Sequence, residues 1–514
     1  MDLDRFLHDL QFQSDRVIPA DWEAAWEDAP LPYKLYERLQ EVPLDSEIPL
    51  SLQEEDDLAS KSERTRLSAF LWYTYGLARY SETAVPSADG SHPETIHAFR
   101  RFVPSGGGLY PSELYMYLKM EGFPDGVYHY DAAHHRLLLI REGNFDLYIT
   151  EALGNRSDLS EAKGVLFVTT MFWKNFFKYN HFAYRLQGLD AGALLGQCRE
   201  VGSCARFFTN VHFQFVDRSI NHLLGLDDEE ESIYAVIPFA DRTSSFFNPW
   251  AATEGGREIP VVHTSHYQRS NKVLDFPYIK KMNQHSMFDS PAQFGLLKEK
   301  EEVRDFYRSH PLPEVEPLTY DLAEVCRKRH SPELDFIKQT IPLKYIAMLL
   351  KETVQTSHTD LYTKSGRSSL SIYGCFHGVE GLADGAYRYH ARTHSLIEIR
   401  QGDFRLPLQK AMKVDNVNLH QVPICFHIVG ERTHYKKELG YRGYRIQQME
   451  AGMLLQKLLL TASALGMNGH PLLGYDGKAC DQMYQLECSG ETTLIQIPVG
   501  FYRPKSWLVG NMHT

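Results

Sequence analysis

The apolar positions of the chain fall into two periods that alternate along its length. Short runs such as GVYHY and HRLLLI, separated by a turn, predict a hairpin of paired strands. The unbroken apolar runs VLFVTT (165–170) and ICFHIV (424–429) predict strands buried on both faces. Elsewhere the spacing lengthens: Leu186, Leu189, Leu194, Cys198 and Val201 recur near the helical period, as do Met449, Met453, Leu459 and Ala462. A long helix is therefore predicted behind each of two Tyr-Arg pairs, Tyr184-Arg185 and Tyr444-Arg445. Strands interleaved with long helices indicate an α+β or α/β class.

The pattern is written twice. GVYHYDAAHHRLLLIREGNF (126–145) returns without a gap as GAYRYHARTHSLIEIRQGDF (385–404), so that Tyr128, Tyr130, Arg141 and Phe145 map onto Tyr387, Tyr389, Arg400 and Phe404. AYRLQGLDAGALLGQ (183–197) returns as GYRIQQMEAGMLLQK (443–457), and each half closes on a strand-like run, SIYAVIPFADR and TLIQIPVGFYR. One module thus occupies 60–242 and again 321–514, with 1–59 as an N-terminal extension and 243–320 as a connector containing the helix-like KEKEEVRDFYRS. Two copies in one chain are expected to pack about a pseudo-twofold axis, as a homodimer would.

Composition narrows the function classes. The chain has 514 residues, 43% hydrophobic and 23% charged, with a net charge of -12, which suits a globular protein and disfavours a nucleic-acid partner. The acidic start MDLDRFLHDL and the lack of a long apolar run argue against a signal peptide or a membrane span, so a cytoplasmic protein is expected. Seven cysteines without paired spacing read as reduced core thiols, and no metal is expected. Phosphate-loop, dinucleotide, zinc-protease and nucleophile-elbow motifs are absent. Read simply, His134-His135 are solvated in a hairpin turn, DDEEE (227–231) is a solvated acidic loop, and the doubled Tyr-Arg pairs are structural.

The two copies differ where chemistry would sit. The first carries PSGGGLYP (104–111), whose glycines let backbone N–H groups approach a flat or anionic ligand, where the second has KSGRSSLS (364–371). Conversely, CRKRHSPELDF (326–336) opens the second module and has no equivalent in the first. Two half-sites, each kept in a different copy, would add up to one anion-binding patch facing a glycine-rich cleft. On the residues alone, the basic cluster reads equally well as a solvated face.

PSGGGLYPSELYMYL, GVYHYD, KYNHFAYRLQGLDAG and LLGLDDEEE resemble the flavin-dependent azoline dehydrogenases of the nitroreductase-like superfamily, often called the SagB type, a group that includes stand-alone thiazoline oxidases of bacillamide-type assembly lines. RKRHS, ALGMNGHP (464–471) and GFYRPK (500–505) are similar to the phosphate-binding side of that fold. The resemblance implies an α+β intramolecular pseudo-dimer of tandem nitroreductase-like modules holding one FMN. Arg327, Arg329, Ser331, Gly466, Met467, Arg503 and Lys505 would lie on the phosphate side, and Arg101, Pro104, Ser105, Gly106 and Gly107 beside the isoalloxazine. Glu333 stands where the family often has an arginine.

Lys178-Tyr179 matches the family's catalytic Lys-Tyr pair, whereas the aligned residues of the second copy are Glu438-Leu439. The implied reaction oxidises a thiazoline or oxazoline to the azole, with dioxygen reoxidising the flavin. Sequence neighbours diverge on a regular helix, so the pair is expected on a loop. The substrate would be peptide-like, carried on a nonribosomal peptide synthetase carrier domain or on a ribosomal precursor peptide; a homodimer is possible. An NAD(P)H-dependent nitro or quinone reductase and a flavin-free binding protein are the competing readings.

Overall fold

The computed structural model describes residues 2–53, 57–85, 94–241, 258–297, 308–354, 359–362, 368–504 and 508–512. Most of the helix-like connector stretch, together with 364–367 and Lys505, lies outside the described residues.

Two seven-stranded antiparallel sheets form the frame, and their strand orders are the same. In the first, Gln40–Pro43, Arg136–Glu142, Gly126–Asp131, Ser112–Leu118, Gly164–Met171, Glu231–Ala240 and Phe208–Thr209 lie side by side. In the second the order is Ser309–Pro311, Ser395–Gln401, Gly385–His390, Ser371–Phe376, Ile424–Glu431, Glu491–Gly500 and Asn468–Gly469. The predicted hairpins and buried strands are all present, and every residue of Ser112–Leu118 and Glu231–Ala240 is buried, as a sheet covered on both faces requires. One edge strand of each sheet comes from outside the recognised repeat: Gln40–Pro43 from the first 59 residues and Ser309–Pro311 from the connector.

The two long helices, Ala183–Cys204 and Arg442–Ala464, pack against each other as the centre of the molecule. Their backbones approach so closely that a Cβ on Gly192 would fall 2.1 Å from Met449 O, and one on Gly452 would fall 2.3 Å from Leu189 O. Only glycine fits at such a crossing. Next to it the equivalent Tyr184 and Tyr444 rings stack at 5.8 Å.

The doubled Tyr-Arg pairs are structural. Arg185 donates to Leu10 O and Leu494 O, whereas Arg445 and Arg442 share the fully buried Asp217 carboxylate. A buried charge needs such partners, and these tie the helix pair to both modules. The chain ends are exchanged: the Leu3–Phe12 helix reaches the second module through Gln11 Nε2 to Thr493 O, and Leu508–Asn511 pairs with the first module's Leu77–Val85, itself paired with Glu94–Arg101.

Two simple readings of the sequence are corrected. His135 is buried, with Nδ1 2.8 Å from Tyr130 Oη, because the hairpin turn folds under Trp72. Glu231 does not belong to a solvated loop: it begins a buried strand and accepts from Lys34 Nζ at 2.7 Å.

Candidate functional site

Strand Glu94–Arg101 runs directly into the glycine turn, and strand alternation sends Arg100 and Arg101 to opposite sides. Arg101, assigned to the cofactor by sequence, is buried instead, donating to Pro32 O at 2.8 Å and to Tyr75 O, and lying 3.9 Å over the Tyr75 ring. Its exposed neighbour Arg100 faces the turn, with Nη1 2.7 Å from where a Cβ of Gly108 would stand. Gly107 and Gly108 have φ of 66° and 69°, a left-handed pair that side chains oppose.

The turn is anchored from the central helix. Asp190 accepts the Ser105 hydroxyl at 2.6 Å and Gly106 N–H at 3.1 Å, and Ser105 Oγ in turn accepts Tyr110 N–H at 2.9 Å. Burial lifts the Asp190 carboxyl to about 7 against those two hydrogen bonds, which favour its charged form. Pro104 connects strand and turn and is half-buried.

Against this turn sits the Lys-Tyr pair. A Cβ on Gly107 would lie 2.6 Å from Tyr179 Oη and 3.1 Å from Lys178 Nζ. The pair is not on a loop: it ends the Trp173–Tyr179 helix, and Asn180, at φ 48°, breaks the chain direction immediately after. At a helix end the spacing rule no longer separates neighbours, so both side chains converge on Gly107. Burial and then Arg100 lower the Lys178 pKa, while burial and then Asp190 raise that of Tyr179 to about 12.

The second module closes the seam. Helix Leu322–Lys328, capped by Asp321, delivers Arg329, whose Nε donates to Phe102 O at 3.1 Å. Arg327 O accepts from the Arg79 guanidinium, and the Arg327 side chain reaches Tyr73 Oη and Leu50 O. His330 N donates to Asn468 Oδ1 at 3.3 Å, Ser331 follows half-buried, and Tyr502, one residue before the exposed Arg503, packs edge-on to His330 at 4.6 Å. The two half-sites therefore meet. Gly466 and Met467 form a helix stop: Met467 N–H bonds Ala462 O, Gly466 N–H bonds Ser463 O, Gly466 takes φ 76° and the Met467 side chain is core, while the Gly466 backbone is exposed. The first module ends its long helix in the same way, with Arg206 at φ 58°.

Arg79, Arg100, Arg329 and Lys178 thus gather around the glycine turn. Arg79 and Arg329 are held below the ordinary guanidinium range by burial, and Arg100 lowers both further. No carboxylate among the described residues is paired with Arg79, Lys178 or Arg329. Partly buried cations that lack a counter-ion fit an anionic ligand, and a turn with no side chains fits a flat one, so the residues present suit the phosphate and ring of FMN. Asp190, Arg79 and Arg100 escaped the sequence reading. For Asp190 a signal existed: an acid recurs at that position of an apolar helix in both copies, as Asp190 and Glu450.

Across the pseudo-axis the described residues of the equivalent seam pack together. Glu450 accepts from Tyr362 Oη and Tyr435 Oη at 3.0 Å each, Leu361 and Leu439 are core, and Gly295 of the connector packs on Glu438, where a Cβ would fall 2.6 Å from its carbonyl oxygen. Among the described residues no group of three or more His, Cys, Asp or Glu could hold a metal ion, and no helix is long and apolar enough to cross a membrane.

Comparison with known proteins agrees with this architecture. Residues 363–501 match the model of the Nitroreductase family. A crystal structure of a protein from Anabaena variabilis, assigned as a nitroreductase, superposes with a TM-score of 0.76 at 23% identity, covering 98% of this chain and 100% of that one. The trifolitoxin-processing protein TfxB of Rhizobium leguminosarum bv. trifolii is 31% identical over 128 residues, 24% of this chain and 32% of its own length, so this chain spans about a third of that relative. A protein of Methanocaldococcus jannaschii, also assigned as a nitroreductase, is 23% identical over 193 residues, 37% of this chain and 94% of its own. The chain therefore has a nitroreductase-like α+β fold built as two tandem modules, the second of which contains the stretch that matches the Nitroreductase family model.

Proposed function

We propose that the protein is an FMN-dependent azoline dehydrogenase that converts a thiazoline or oxazoline in a peptide-like intermediate to the aromatic azole. The observation that carries this reading is the contact of Lys178 Nζ and Tyr179 Oη with Gly107, inside a cationic seam and in the copy that keeps the glycine turn. The similarity to TfxB, a protein named for processing a toxin, supports a tailoring role.

Arg79, Arg100 and Arg329 would hold the phosphate-bearing end of FMN, and the Gly106–Gly108 turn would lie beside its ring. FMN bound there would supply the acceptor for a hydride, with dioxygen taking the two electrons onward to hydrogen peroxide. Lys178, its pKa lowered, is the base that removes the proton from the ring carbon next to the carbonyl. Tyr179, raised to about 12, stays protonated at neutral pH and donates a hydrogen bond to the ring nitrogen. The balance is one proton to Lys178, one hydride to the cofactor, and a new ring double bond. A hydride-accepting nitroreductase has no need of such a base, which favours the dehydrogenase.

The substrate's source is proposed as a carrier domain of a nonribosomal peptide synthetase, with a ribosomal precursor peptide as the alternative that the assay separates. Purified protein is expected to bind FMN at one per chain and to remove two hydrogens from a thiazoline presented as a carrier thioester. Turnover of a thiazoline-bearing precursor peptide alone would move the partner to the ribosomal class. Colourless protein that failed to take up added FMN would overturn the reading.

A further inference from the structure

We propose that Trp26, supplied by the N-terminal segment ahead of the repeat, forms the wall of the substrate site facing Lys178 and takes the planar five-membered ring of the substrate by stacking on its indole. The inference rests on the proposed reaction for the identity of that ring, and on geometry for its place.

Lys178 Nζ is bordered by the bare backbone of Gly107, whose Cβ position is 3.1 Å away, and by two aromatic rings, Tyr179 and Trp26, with centroids at 5.1 and 5.3 Å; these are the surfaces around it. A ring that offers its C–H to Nζ must enter the space these surfaces bound. Trp26 is 55% exposed, and a single exposed indole would mean little by itself. This one is held in a fixed place. Its ring meets Phe177 edge-on at 5.4 Å, and Trp22 Nε1 donates to Lys178 O at 3.1 Å. Two residues on, Asp28 accepts from Asn271 N–H at 2.7 Å, Asn271 Nδ2 at 2.9 Å and Lys272 N–H at 3.0 Å. The backbone is thus pinned on both sides of an aromatic face left open beside the base.

The test uses the FMN-loaded full chain and two readouts: turnover of a thiazoline thioester, and binding of a thiazole-4-carboxamide followed by perturbation of the flavin spectrum. Trp26→Ala is expected to keep wild-type flavin content, raise KM and weaken thiazole binding by roughly 5- to 100-fold, the range of aromatic stacking on a flat heterocycle. Trp26→Phe should recover most of the loss and Trp26→Leu little of it, a split that bulk alone would not produce. Unchanged KM and thiazole binding in Trp26→Ala would overturn the shelf while leaving the dehydrogenase reading intact. If no azoline is oxidised, yet the thiazole binds wild type and not Trp26→Ala, the shelf stands and the reaction assignment falls.

Discussion

At one end of the paired central helices Asp190 pins a glycine turn beside Lys178 and Tyr179; at the other, Glu450 accepts two tyrosine hydroxyls in a packed interior. Both carboxyls are lifted to about 7, first of all by burial, so the same position of the repeat has the same electrostatic character in both copies. What differs is the cover. The open seam is lined by cations and bare backbone, while the closed one holds Leu361, Leu439 and Tyr435 under Gly295 of the connector. A symmetric dimer would have to keep two identical sites. Duplication within one chain removes that constraint: the basic cluster stands on one module and the glycine turn on the other.

Substitutions can break this contrast. The largest effect is expected from Gly107→Ala, which places a side chain 2.6 Å from Tyr179 Oη at a backbone conformation that costs roughly 1–2 kcal/mol on its own. The protein should purify without flavin, whereas Gly295→Ala on the closed seam should lower Tm and leave the colour. Lys178→Ala should keep FMN and lose about 100- to 10,000-fold in kcat, the usual share of a general base. Glu438→Ala, at the matching position, should leave turnover as it was.

Arg329→Ala should raise the FMN Kd by roughly 10- to 100-fold, as the loss of a charge-assisted hydrogen bond implies, measured by flavin fluorescence titration. Asp190→Asn addresses pH. A carboxyl raised from 3.8 to about 7 in the fold means stability declines as pH rises through that window, so the variant should show a flatter profile of Tm against pH. The smallest effect belongs to Glu450→Gln. A folded-state value raised from 4.5 to about 7 means stability declines as pH rises through that window, so the variant should show a flatter profile of Tm against pH and unchanged flavin content.

The halves of the molecule were legible because the repeat preserves spacing: Tyr128 and Tyr387, or Ala191-Gly192 and Ala451-Gly452, need no structure to be paired. Lys178-Tyr179 and Ser105 to Gly107 were singled out through resemblance, and what the structure adds is that the two stretches converge at Gly107. Arg101 was misplaced because two adjacent arginines differ in strand phase, which composition does not record.

By itself the sequence determined the α+β class, the duplication, and the fact that the two copies kept different chemical equipment. Local periodicity and turn chemistry act over a few residues, and the chain states them directly. Only the tertiary structure decided that Arg329 reaches Phe102, that Arg79 and Arg100 join Lys178 around the glycine turn, and that Trp22 and Trp26 arrive from the far N-terminus. Those contacts join residues tens to hundreds of positions apart. They are fixed by the close crossing at Gly192 and Gly452 and by the exchange of chain ends, which set the distance between modules that no local pattern encodes.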